Sequence, residues 1–136
     1  GNKQYRVIAE RTLKFLLEQT MMEEYYIPIG QNGWYPYQGE RAYFDQQPEE
    51  PAYMVQSLCT IYKLTKNERY RELSQKVFSW FLGNNQIAHT MYDETTGGCF
   101  DGLQETSVNL NEGAESAISY FLARLCMEEQ GNKKRA

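Results

Sequence analysis

Apolar residues recur at spacings of three and four in four stretches of the chain. Over residues 3–19, Tyr5, Ile8, Leu13, Leu16 and Leu17 fall near one face, with Lys3, Arg6, Glu10, Lys14 and Glu18 elsewhere. The second stretch starts at Pro48 and Pro51, whose fixed φ and missing N–H suit a first helical turn. It carries Ala52, Val55, Leu58, Cys59 and Tyr62 and runs to about Leu64. Residues 68–83 form the third helix, with Asn67 as N-cap and a stripe of Leu73, Val77, Trp80 and Phe81; Gly83 and Asn84 close it. The fourth spans 112–129, with Asn111 as cap and Glu112 and Glu115 facing the positive end of the dipole. Its predicted buried stripe is Ala114, Ile118, Phe121, Leu122 and Leu125.

The second and third helices are separated by about three residues, which predicts an antiparallel αα-hairpin. The other connections are long. Residues 20–46 and 84–110 are rich in Gly, Asn, Gln, Thr and aromatics, and loops of this length usually bind something or hold short elements of their own. No long strand pattern interrupts them; Met91-Tyr92 and Cys99-Phe100 suit at most a small ribbon. The expected class is all-α, with antiparallel αα-hairpins stacked side by side in a single helical domain over residues 1–136.

Composition and charge sharpen this picture. The chain has 136 residues, enough for one domain with a real core. A net charge of −4 argues against nucleic acid and anionic membranes as partners. No apolar run reaches the roughly 20 residues that span a bilayer. Cys59, Cys99 and Cys126 are odd in number and widely spaced, and His89 is the only histidine. Structural zinc is not expected, nor any other metal or cofactor; free thiols in a reducing, cytoplasmic compartment are the simplest reading, with a periplasmic chain holding one bridge and one free thiol as the alternative. The basic cluster Lys133-Lys134-Arg135 reads as a solvated terminus, and the opening Gly1-Asn2 as the start of a piece excised from a longer protein.

Aromatics make up 14% of the chain, with 11 Tyr, 6 Phe and 2 Trp. Tyr62, Trp80, Phe81 and Phe121 lie on helix stripes and are assigned to the core. Trp34, Tyr35, Tyr37, Tyr43, Phe44, Tyr92 and Phe100 gather in the long loops. Forked amides, carboxylates and aromatic faces together match the hydroxyls and C–H faces of carbohydrate. The ligand-binding candidates are Trp34, Tyr37, Gln46, Gln47, Tyr92, Asp101, Asn109 and Asn111. Asp45, Asp93, Asp101 and Glu115 are the candidates for acid–base catalysis on a sugar. Each carboxylate also has a structural role open to it. Asp45 suits a helix cap, Asp93 an Asx-turn onto Thr95, Asp101 a turn with Gly102, and Glu115 a first helical turn.

The ordered set Gly33-Trp34, Phe44-Asp45-Gln46-Gln47-Pro48, Trp80-Phe81-Leu82-Gly83-Asn84-Asn85, Tyr92-Asp93, Thr96-Gly97-Gly98-Cys99-Phe100-Asp101-Gly102-Leu103 and Asn109 to Ser116 resembles the helical C-terminal region of some bacterial glycosyltransferases. That region is similar to the α/α toroids of many sugar-processing enzymes. The resemblance covers roughly residues 30–125 and departs from the pattern at Glu50-Pro51, where small or apolar residues are expected. It implies an arc of an α/α toroid, since a closed ring needs about a dozen helices and this chain holds four or five. It also implies an auxiliary domain that is not catalytic by itself and that holds a glycan or docks a catalytic transferase domain; self-association is compatible with such an arc. Two other functions fit the residues: a small acid–base sugar enzyme of the hydrolase or epimerase kind, and a helical-repeat interaction module.

Overall fold

The computed structural model describes residues 3–132, with the side chain of Asn132 excepted. The clusters at Gly1-Asn2 and Lys133-Lys134-Arg135 lie outside the described residues. The fold is mainly helical: α1 (Lys3–Thr20), α2 (Glu49–Thr65), α3 (Glu68–Phe78) and α4 (Ala114–Asn132), with a 3-10 turn at Ser79–Leu82 extending α3. A small antiparallel ribbon, β1 (Gly102–Leu103) with β2 (Val108–Asn109), pairs Gly102 with Asn109 and Leu103 with Val108. Single bridges join Tyr92 to Cys99 and Gln46 to Leu103, so the two long loops touch through backbone.

Local sequence explains where the helices begin and end. Pro48 precedes α2, and Pro51 lies in its first turn. Lys66 leaves α2 in the left-handed region at φ 58°, and its N–H closes onto Tyr62 O. Asn67 then accepts a 3.1 Å bond from Arg69 N–H and opens α3, as expected. Gly83, at φ 96°, ends the 3-10 turn.

The α2–α3 hairpin forms the centre, and α4 packs against both of its helices. Lys63 near the end of α2 pairs with Glu129 near the end of α4 at 2.6 Å, so these two helices run parallel. Ser74 of α3 donates to Gln130 of α4, while Phe78 and Phe81 meet Tyr120 near the start of α4, so α3 and α4 are antiparallel. The core is built on Val55, Leu58, Val77, Trp80, Phe81, Met91, Cys99, Leu103 and Ala123, all fully buried. Trp80 and Phe81 meet edge to face at 5.1 Å, and Tyr92 stacks on Tyr120 at 4.7 Å.

Two expectations about helix faces are corrected. In α4, Ile118, Phe121, Leu122 and Leu125 point outward and are 43–58% exposed. The covered face is Ser116, Ser119, Tyr120 and Ala123, on the opposite side at 3.6 residues per turn. The reason is close approach: small residues let α4 lie near α2, and the large apolar stripe is left on the outside. In α1, Leu13 is buried but Tyr5 and Ile8 are 73% and 61% exposed. Tyr62 is also only partly buried, with its hydroxyl donating to Glu68.

The helix-start expectation for α4 changes as well. Asn111 does not cap it. Asp101, from just before the ribbon, accepts 2.7 Å and 2.6 Å bonds from Gly113 N–H and Ser116 Oγ. Glu112 lies outside the helix and accepts from Thr96 Oγ1 at 2.7 Å.

Candidate functional site

The parallel α2 and α4 begin at the same end of the molecule, and both long loops lead into those beginnings. The loop 21–48 is ordered by its backbone: Gly30, Gln31 and Asn32 donate to Ala42, Asp45 and Phe44, and Ala42 donates to Trp34. Gly30 lies against the Phe44 backbone, where a Cβ would collide. Arg41 pins the loop to α1. Its guanidinium donates to Gln19 O, to Ile27 O at 2.9 Å and to Pro28 O at 2.7 Å.

This frame displays aromatics. Trp34 is 58% exposed and Tyr37 93% exposed. Trp34 also has φ 58°, an uncommon backbone state for a bulky residue that costs about 1–2 kcal/mol. Beside it, Gln31 Nε2 donates to Gln47 Oε1, joining the two ends of the loop.

The remaining candidates divide by burial. Gln46 is fully buried, donates to Tyr43 O and Gln86 Oε1, and accepts from the Trp80 indole at 2.8 Å. Its amide is consumed by the core. Tyr92 is half-buried under the Tyr120 stack. Asn109 and Asn111 are exposed, and Asn109 Oδ1 accepts from Asn111 N–H at 3.2 Å.

Among the carboxylates, Asp93 makes the expected Asx-turn, accepting from Thr95 N–H at 2.7 Å. That backbone bond is the main reason its pKa is held below the ordinary value. Asp101 is committed to capping α4. Glu115 stands exposed in the first turn of α4. Asp45 does not cap α2; it sits in the left-handed region at φ 54°, and Pro48 at the N-cap position makes no side-chain cap bond.

Sequence reasoning missed Glu49 and Glu50 as ionisable groups of interest. One carboxylate oxygen of each is buried without a hydrogen-bond partner among the described residues. Burial raises the Glu49 pKa, and the nearby Glu115 and Asp101 charges add to it. Burial also pushes Glu50 up to about 7, against the opposing pull of Arg41. The one available signal was the pair of acids set between Pro48 and Pro51 at a helix start.

Cys59 and Cys99 are buried, and burial pushes both thiols up to about 12. Among the described residues, no cluster of His, Cys, Asp or Glu could hold a metal, and no helix is long and apolar enough to cross a membrane. Compared with known protein families and with curated proteins, the chain matches none.

Proposed function

We propose that this chain is an auxiliary helical domain of a glycosyltransferase-like protein, an arc of an α/α toroid whose loop-bearing end binds a glycan or seats against a catalytic domain. The observation that carries this reading is Trp34, an exposed indole at a strained φ in a loop tied by backbone hydrogen bonds, one of them from Ala42 N–H to Trp34 O. Backbone strain costs stability, and a strained residue that displays an aromatic ring fits use of the ring face. Tyr37 supplies a second exposed ring, and Gln31, Gln47, Asn109 and Asn111 supply amides of the kind sugar hydroxyls pair with.

A two-carboxylate reaction on a sugar has less support. Asp93 and Asp101 are both engaged with backbone N–H groups, which favours structural roles for them. The interaction-module reading gains support from an open apolar groove between α1 and α2, which reaches Tyr26 and Ile29 of the first long loop.

A glycan array on the isolated chain tests the proposal, with Trp34→Ala and Tyr37→Ala as variants. Binding by the parent and loss of most of it in both variants is the expected result. An array without signal, together with no complex between this chain and a transferase core supplied separately, would sink it.

A further inference from the structure

We propose that Cys59 of α2 and Cys126 of α4 form a disulfide site, a dithiol that closes on oxidation into a bond between the two parallel helices. Their side chains lie in hydrogen-bonding contact. The surrounding contacts hold them there. Lys63 and Glu129, one turn further along each helix, pair at 2.6 Å on the same seam. Ser74 of α3 touches the Cys59 thiol and donates to Gln130, one turn beyond Cys126, at 3.3 Å. A disulfide needs Cα atoms about 4.4–6.8 Å apart, and the fully buried Ala123, one turn before Cys126, favours so close an approach.

The third cysteine is elsewhere. Cys99 is fully buried, its backbone bridges Tyr92, and its charged neighbours are Glu49, Asp101 and Glu112 at the loop-bearing end. Cys59 and Cys126 lie in the C-terminal halves of their helices, away from that end. Geometry therefore selects one pairing of the three.

Exposure sets the order of events. Cys59 is 1% exposed and Cys126 is only partly buried, so an outside oxidant meets Cys126 first. With hydrogen peroxide as the oxidant, the Cys126 sulfur takes one oxygen as the O–O bond breaks. The other oxygen leaves as water with the proton of the Cys126 thiol. Cys59 sulfur then attacks the Cys126 sulfenic acid, the S–O bond breaks, and the hydroxide departs as water with the Cys59 proton. Two thiols and one peroxide become one disulfide and two waters. Burial holds the Cys126 thiol above its ordinary value, with Lys63 acting against that, so the first step is the slow one. The finished bond constrains the unfolded chain and ties together the helices whose other ends receive the long loops.

Peroxide treatment of the reduced, folded, intact chain tests this, followed by unfolding, alkylation and peptide mapping without reductant. The expected product is lighter by two hydrogens, carries a Cys59–Cys126 link within one chain, and keeps Cys99 free for alkylation. It should unfold at a higher temperature than the reduced chain, and dithiothreitol should reverse both changes. Cys59→Ser should stop at a Cys126 sulfenic acid, which dimedone traps. The mapping on the parent decides the matter even if that variant folds poorly. A link through Cys99, links only between chains, or Cys126 driven to sulfinic acid beside an unchanged Cys59 would overturn the proposal. So would full retention of all three thiols.

Discussion

Ser116 Oγ stands 2.6 Å from Asp101 Oδ1, and that one oxygen also receives the Gly113 N–H at 2.7 Å. A residue just before the ribbon thus caps α4 from across the loop, in place of the local Asn111 cap that the adjacent sequence offers. Asp101→Ala should cost about 1–2 kcal/mol, the range for a lost helix cap. Asp101→Asn should cost less, since an amide oxygen can still accept both bonds. Urea denaturation of the three proteins checks the order.

Gln46 and Trp80 form a second long-range pair, with the indole donating at 2.8 Å in the core. Trp80→Phe leaves the Gln46 oxygen buried without that donor. The expected loss is about 1–3 kcal/mol for the unmade bond, with a further small packing loss. Replacing Gln46 by Leu in the same protein should not restore it, because Tyr43 O and Gln86 Oε1 then lose the Gln46 amide as donor. A double-mutant cycle by thermal or urea unfolding reads this coupling.

Trp34→Gly should separate binding from stability. Glycine adopts φ near 58° without strain, which offsets up to about 1–2 kcal/mol of the packing and chain-entropy losses. Stability is therefore expected to change little, while affinity for a glycan ligand falls. A large loss of stability would instead make the indole a structural residue.

Glu50 gives the fold a pH dependence of defined sign. Its folded pKa, about 7, lies above the ordinary value of 4.5, so the folded protein binds this proton more tightly than the unfolded chain. The contribution is fully present below pH 4.5 and is lost as pH rises through about 7. Glu50→Gln should flatten the stability profile over that window, with its greatest advantage over the parent above pH 7. Unfolding curves for both proteins across the window, compared as differences, test this.

Thiol accessibility should follow burial. Cys126 is the least buried of the three cysteines. In the native protein it should react first with a thiol reagent, while Cys59 and Cys99 wait on unfolding. Mass spectrometry of partly labelled protein identifies the order.

The sequence was most legible where structure is local. The helix positions, the Asn67 cap, the Gly83 stop and the Asp93 turn onto Thr95 rest on neighbours within a few residues, and each is found in place. Periodicity also located the apolar stripe of α4, but could not tell which side the rest of the chain covers. Tyr120 and Ala123 with two serines form one usable face, and Ile118, Phe121, Leu122 and Leu125 form another. The cap by Asp101 and the amide of Gln46 were illegible for the same reason. Their partners are distant in sequence, so a polar residue in a loop looked like a ligand contact. Glu49 and Glu50 have the converse history: the sequence marked Glu50 only as a departure from the resembled pattern, and tertiary burial is what makes both acids unusual.

Arg41 fastens the end of α1 and the carbonyls of Ile27 and Pro28 with one rigid guanidinium. Thr20, Tyr26 and Ile29 line the groove and are sequence neighbours of those same acceptors. The same region is tied twice more, by the stack of Phe15 on Tyr35 at 6.3 Å and by Lys76 on the Met22 and Glu23 carbonyls. The groove and the stretch of chain leading to Trp34 are therefore built on one braced joint rather than on independent supports.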